Sequence, residues 1–285
     1  MTNFDLRPLS LGEILDRTFS LYRRHFVLFV GIAAVPQLAI LVFNLTRLWL
    51  ARTPFVLTSG GPLFRLSNGL APLGLVGTLG IVIFNDLVYT FAHGATVLAV
   101  SEVNFGRATT IGASLRRMWG NLGRLFLITL LNLAAFFGGL ILFVIPGFYV
   151  ACRLITSVAA ALLENLGPVE SLSRSFWLTK NYAGRSFVIY LLYYFLGTTA
   201  TALLAYPFYY AGGLSAKDPG MMRLIFSAGQ VGSYLGAIVV GPIITISATI
   251  FYYDLRVRKE AFDLQLMMNP GPIPSATPGI PTSFT

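Results

Sequence analysis

The chain is poor in charge. Only 11% of its 285 residues are Asp, Glu, Lys or Arg, against 55% that are hydrophobic. A soluble domain carries roughly 25% charged residues, so this chain cannot coat a globular surface, and a soluble fold is excluded. Cysteine is nearly missing. Cys152 stands alone inside an apolar run, which excludes an intrachain disulfide and argues against a redox or metal role. The two histidines, His25 and His93, have no metal-ligand spacing around them. There is no Gly-x-Ser-x-Gly elbow and no phosphate-cradling loop. No catalytic constellation, cofactor or metal is therefore expected, and an enzyme is the weakest reading. Acids are scarcer than bases, 11 against 20, which leaves a net charge of +9. No basic arm or nucleic-acid motif accompanies that surplus, so it points to anionic lipid headgroups rather than nucleic acid.

What the chain does have is long apolar runs. A helix needs about 20 apolar residues to cross a bilayer core. Six runs qualify, near 26–50, 73–100, 125–145, 148–163, 187–211 and 226–253, and predict an all-α, multi-pass membrane protein. Backbone groups in lipid must be satisfied within their own segment, so the spans are helices. The first run starts only at Phe26 and lacks a small-residue cleavage site, so it reads as a retained span. Ile145-Pro146-Gly147 alone separates the third and fourth runs, predicting a tight hairpin. The fourth is short for a full crossing, which predicts local thinning or tilt. Residues 1–268 form one membrane domain, and the Pro-, Ser- and Thr-rich stretch 269–285 reads as a disordered tail.

A second pattern is superposed on the spans. Three basic amphipathic stretches, near 10–24, 109–124 and 168–182, each precede a pair of spans. Their cores are Leu15-Asp16-Arg17-Thr18-Phe19, Leu115-Arg116-Arg117-Met118-Trp119 and Leu172-Ser173-Arg174-Ser175-Phe176. Arg24, Arg124 and Arg185 each stand two residues before a Phe that opens the next span, and each second span ends in an acid, Glu102, Glu164 or Asp254. This predicts three pseudo-repeats of amphipathic helix plus transmembrane hairpin, with chance similarity among apolar helices as the alternative. Ser10 to Glu13 is a capping box, with Leu9 and Ile14 placed as a staple. Pro168 suits a first helical position, and Glu170 with Arg174 is spaced for an i,i+4 pair. Such helices are expected to lie flat, apolar face in the acyl boundary and cations toward headgroups, with Arg17, Arg117 and Arg174 contacting anionic lipid. The terminal acids oppose the helix dipole, so each should latch onto a cation of a neighbouring flat helix.

Asp86, His93 and Arg153 stand out among the polar residues within spans. An ionisable group in mid-membrane defaults to a functional hypothesis. The alternatives are a buried Asp86 tied to Arg153, Asn132 or Asn44 for packing, and an Arg153 that snorkels. Asn44, Asn132 and Gln230 read as interhelical hydrogen-bond glue, and Gly232 with Gly236 as a close-packing Gly-x-x-x-Gly match.

These residues together resemble a bacterial family of six-span domains named after glycerophosphoryl diester phosphodiesterase, as its membrane domain. The resemblance is carried by the stretch from Leu6-Arg7-Pro8-Leu9-Ser10-Leu11 to Asp16 and by Ile145-Pro146-Gly147-Phe148-Tyr149. Pro168-Val169-Glu170-Ser171-Leu172, Trp177-Leu178-Thr179-Lys180 and the run from Tyr253-Asp254-Leu255-Arg256 to Glu260 complete it. It implies the membrane fold. The catalytic barrel of two-domain relatives has no counterpart here, and Ala92-His93-Gly94 lacks the Arg of that barrel's motif.

The leading expectation is a non-enzymatic protein of the bacterial inner membrane: a lipid-interacting scaffold, a sensor, or a partner subunit for other envelope proteins. The alternative is a small transporter or lipid translocator working through Asp86, His93 and Arg153. Orientation follows from the basic residues of the connections, fourteen on the side of both termini against five on the other. Both termini are therefore expected in the cytoplasm. A cysteine placed at Ser67 should react with an impermeant reagent in intact cells, and one at Asn121 should not; labelling at Asn121 would reverse the topology.

Overall fold

The computed structural model describes residues 7–50, 71–214 and 218–262. The tail 269–285 and the connection around Ser67 lie outside them. Eleven helices account for nearly all of the described residues: α1 (Leu11–Arg24), α2 (Phe26–Leu50), α3 (Ala71–Asn104), α4 (Ile111–Trp119), α5 (Leu122–Leu142), α6 (Val144–Leu154), α7 (Ser157–Leu163), α8 (Pro168–Thr179), α9 (Ala183–Leu204), α10 (Tyr206–Leu214) and α11 (Pro219–Glu260). Six stretches are long and apolar enough to cross a membrane: Phe26–Thr46, Ile83–Asn104, Leu122–Ile141, Val144–Leu163, Ala183–Leu204 and Gly220–Glu260. The chain is a multi-pass, all-helical membrane protein. α11 is the central post, packing against α9, α2, α10, α1 and α3.

Local chemistry sets the helix ends. At α1, Ser10 Oγ accepts from the Glu13 N–H at 3.3 Å, and the Glu13 carboxylate accepts from the Ser10 N–H at 2.6 Å, completing the expected capping box. Those Ser10 bonds and the Arg7 guanidinium hold the Glu13 carboxyl at about 2, well below its usual range. Leu9 and Ile14 are both buried in the core. α3 ends on Gly106 at φ +72°, with Gly106 N–H donating to Val103 O and Arg107 N–H to Glu102 O. That is a Schellman motif. α7 ends likewise, with Asn165 at φ 55° and Leu166 N–H donating to Ala161 O.

The fourth span differs from expectation in two ways. The hairpin turns at extended Phe143, and Pro146-Gly147 lie inside the first turn of α6, where a missing N–H costs nothing. The span also runs on for 20 residues, Val144–Leu163, so it is not short. It is broken at Ile155-Thr156, between α6 and α7. The Arg153 carbonyl freed there accepts from Ser175 Oγ at 2.8 Å and Thr179 Oγ1 at 2.9 Å. Irregular backbone survives inside a membrane protein when other helices satisfy it in this way.

Small residues let the helices approach. A Cβ on Gly139 would stand 2.8 Å from Gly147 Cα across the α5–α6 hairpin. One on Gly232 would stand 1.9 Å from the Leu204 carbonyl oxygen, and one on Gly236 would touch Ala200 Cβ at 3.3 Å. The Gly-x-x-x-Gly match is a packing face of α11 against the end of α9, as expected. Asn44 Nδ2 donates to Tyr234 OH at 2.7 Å and Asn132 Nδ2 to Ser157 Oγ at 2.8 Å, so both bond across helices. Tyr190 OH donates to Ala151 O, which sets α9 beside α6. α10 carries on along α11, where a Cβ on Gly229 would meet the Tyr209 ring and one on Gly212 the Phe226 ring.

Gly232→Ala should lower the melting temperature of the detergent-solubilised protein, because overpacking against backbone costs about 1–3 kcal/mol. Gly241→Ala, with open space around its Cβ, should not. Equal melting of both variants would contradict the packing.

Candidate functional site

The three acids that end the second spans gather with most of the bundle's cations at one end of the molecule. Glu102, held at the tip of α3 by its Schellman turn, accepts from Arg117 Nη1 on α4 at 2.6 Å, with Arg107 at 3.8 Å. This pair is on the surface: the Arg117 side chain is 60% exposed.

Glu164, at the end of α7, is fully buried. Arg174 of α8 grips it through Nε at 2.8 and 3.1 Å and Nη2 at 2.9 Å, and Tyr252 OH of α11 donates to it at 2.6 Å. Arg174 also bonds Glu260 at 2.5 Å, and Arg256 Nε bonds Glu260 at 2.9 Å and faces Glu164 at 3.8 Å. Two guanidiniums and two carboxylates thus form a neutral cluster joining α7, α8 and α11. Arg256 is 0% exposed, with its guanidinium 4.0 Å from the Phe262 ring. Burial works against the Arg174 charge, but hydrogen bonds and charge attraction from Glu260 and Glu164 outweigh it and raise its pKa.

Asp254 accepts from the Leu9 N–H at 2.7 Å, from Arg258 Nε at 2.9 Å and from Arg185 at 3.4 Å. Arg185 and Arg258 also donate to the Leu9 carbonyl, at 3.0 and 2.5 Å. The segment leading into α1 is therefore clamped to α9 and α11 by its own peptide groups.

These contacts revise two expectations. Arg174 is not a headgroup contact: its side chain is 3% exposed and both its charge partners are internal. Nor does it pair with Glu170, whose carboxylate instead accepts from the Gly167 N–H at 3.0 Å. The cause is that α8 is turned inside out. Ser171, Arg174, Ser175, Leu178 and Thr179 face inward at helical spacing, while Val169 and Trp177 face outward. α4 keeps the expected sense, with Met118 buried and Arg116 and Arg117 exposed. α1 buries Ile14, Thr18 and Tyr22, and Tyr22 OH donates to Val239 O of α11 at 2.7 Å. Arg17 lies on the partly buried flank of α1. Asp254 meets backbone and Arg185 of α9 rather than a cation of α1.

Asp86, His93 and Arg153 are not brought together. Thr90 Oγ1 lies 2.9 Å from Thr129 Oγ1, fixing α3 against α5. Asp86 is one turn further, about 16 Å along the roughly 31 Å of α5, so it stands at mid-depth. Its carboxylate makes no hydrogen bond or ion pair with the described residues. His93 stacks on Tyr89 with centroids 6.0 Å apart. Arg153 is committed elsewhere: Nε donates to Thr179 Oγ1 at 3.0 Å, Nη1 to Tyr149 OH at 2.6 Å, and Nη2 to the Phe176 carbonyl. It fastens the end of α8 and gives Asp86 no counter-ion.

Arg256, Glu260 and Lys259 are the members that sequence reasoning placed in a loop. No Gly or Pro stands between Tyr253 and Glu260, and Arg256 with Glu260 has i,i+4 spacing, so a continued helix was the available signal. Comparison of the chain with protein-family models, curated proteins and solved structures finds no match.

Breaking a buried pair costs about 3–5 kcal/mol, because the stranded charge stays buried, whereas an exposed pair contributes about 0–1 kcal/mol. Glu164→Gln should therefore lower the melting temperature in detergent far more than Glu102→Gln. A reversed order would remove the buried cluster from its structural role.

Proposed function

We propose that the chain is a non-enzymatic scaffold of the bacterial inner membrane, with both termini in the cytoplasm and its basic end at anionic headgroups. The observation that carries this reading is where the charge goes. Ionisable groups collect at one end of the bundle and are largely spent on each other, across helices, instead of lining a route through it. Cations left on the surface at that end, among them Arg23, Arg24, Arg107, Arg116 and Lys180, suit the negative surface of a cytoplasmic leaflet. The same surface offers a docking face to other envelope proteins.

Two further points belong to this reading. The three units are proposed as true repeats: Glu102 ends one unit and bonds the amphipathic helix of the next, Glu164 does the same for the third, and Asp254 returns to Leu9 at the entry of the first. Membership of the glycerophosphoryl diester phosphodiesterase membrane-domain family rests on the motif resemblance, and three of those motif residues, Asp254, Arg256 and Glu260, take part in the charge clusters.

Asp86 favours a second reading, a small transporter, because a half-buried carboxyl stands at mid-depth. Complementation separates the two. In a strain lacking the chain, Asp86→Asn at equal protein level should restore the deletion phenotype, while joint replacement of Arg23, Arg24 and Arg116 by Gln should not. Loss of function with Asp86→Asn alone would transfer the protein to the transport reading.

A further inference from the structure

The turn from α8 to α9 collects positive charge that the fold does not neutralise. Lys259, from the end of α11, donates to the Trp177 carbonyl at 2.5 Å, and Arg153 donates to the neighbouring Phe176 carbonyl. Lys180 follows at the helix end, fully at the surface. The charges of Arg153, Lys180 and Arg174 all act on the Lys259 ammonium. Of these, Arg174 is already matched by Glu164 and Glu260. Glu260 also acts on Lys259, but it is bonded to Arg174 and Arg256. Arg153 and Lys180 have no carboxylate partner among the described residues, and Lys259 has a share of Glu260.

A structural role accounts for only part of this. Cations commonly cap the carbonyl end of a helix, which carries about half a negative charge. Three full positive charges around the end of α8 exceed that several-fold. Positive charge extends along the same surface: Arg185, Arg258 and Lys259 stand 5.5, 5.8 and 6.0 Å from the ring of Tyr182, and the buried Asp254 is shared between Arg185 and Arg258. Donors are also left over. Arg153 has five N–H groups and uses three, and Lys259 uses one of three.

The surroundings indicate what fills the gap. Trp177, at 39% exposure, lies 4.9 Å from the Lys259 ammonium, an amphipathic ring at the edge of the cluster. Tyr149, bonded to Arg153, is exposed, as are Phe148 on the same helix and Phe187 and Leu191 on α9. Unneutralised cations above an apolar, outward-facing strip match a molecule with a negative head and hydrocarbon chains. We propose that the α8–α9 turn is a binding site for one anionic phospholipid, its phosphate held by Lys180, Lys259 and Arg153 and its chains lying along α6 and α9. The proposal rests on the lipid-contacting scaffold reading and gives it a place.

Native mass spectrometry of the full-length protein tests it, in detergent with equal amounts of phosphatidylglycerol and phosphatidylcholine. The wild type should retain phosphatidylglycerol in preference. Lys180→Gln with Lys259→Gln should weaken that retention about tenfold or more, from the usual contribution of a lysine at an anionic surface. Arg223→Gln, which removes one charge at the opposite end of α11, should leave it. Lys180→Gln alone changes only a surface side chain and should weaken retention by about fivefold, which keeps the test valid if the double variant misfolds. Retention in the Lys180 and Lys259 variants equal to wild type would overturn the site, as would an equal loss in the Arg223 control, which would leave only general charge attraction. Displacement by equimolar inorganic phosphate would assign the site to the free ion and overturn the lipid. A wild type with no preference for the anionic lipid would overturn both the site and the lipid reading beneath it.

Discussion

The fold depends on keeping charge neutral where it cannot be hydrated. α7, α8 and α11 meet around Glu164, Arg174, Arg256 and Glu260; the first three are enclosed and Glu260 keeps only a small exposed edge. Taking such groups from water costs several kcal/mol each, repaid only when every charge finds an opposite one in good geometry. The cluster therefore works as a positional lock more than as a source of stability. If α8 slid by one turn, Glu164 and Glu260 would be left to share Arg256 alone. The same logic holds at Asp254, where the ligands include the peptide N–H of Leu9, so the entry to α1 has one permitted position.

Arg117 and Arg174 occupy the same place in the repeated Leu-x-Arg-x-aromatic core, yet one is on the surface and the other is enclosed. The difference lies in the rest of each helix. α4 carries Gly112, Ala113 and Arg116 around its arginine, which leaves its apolar residues to pack. α8 offers Ser171, Ser175 and Thr179, three hydroxyls along one line. Ser171 bonds back to the Pro168 carbonyl of its own helix, while Ser175 and Thr179 meet the Arg153 carbonyl that the interruption between α6 and α7 sets free. A helix whose polar face has internal partners turns that face inward.

Much of the architecture could be read from the residues. Six apolar runs, the capping box at Ser10, the packing face at Gly232 and Gly236, and the glue asparagines are local signals, legible because each depends on a few neighbouring positions. For Glu102 and Glu164 a cation on a neighbouring amphipathic helix could be anticipated, because a negative charge at a carbonyl end requires a partner; the partners of Asp254, a peptide N–H and the arginines of α9 and α11, could not. What could not be read was long-range. The inversion of α8 depends on a break in another span, and the enclosure of Arg256 depends on which helices surround α11. The stop of the last helix was misplaced because basic residues after Tyr253 look like a loop when only hydropathy is followed.

The contacts of Leu9 also order the assembly of the bundle. Its partners Asp254, Arg258 and Arg185 come from α9 and α11, so the segment leading into α1 has no fixed place until those helices are present. A chain inserted from α1 onward keeps its first amphipathic helix unclamped, and closes on it only when the last span arrives.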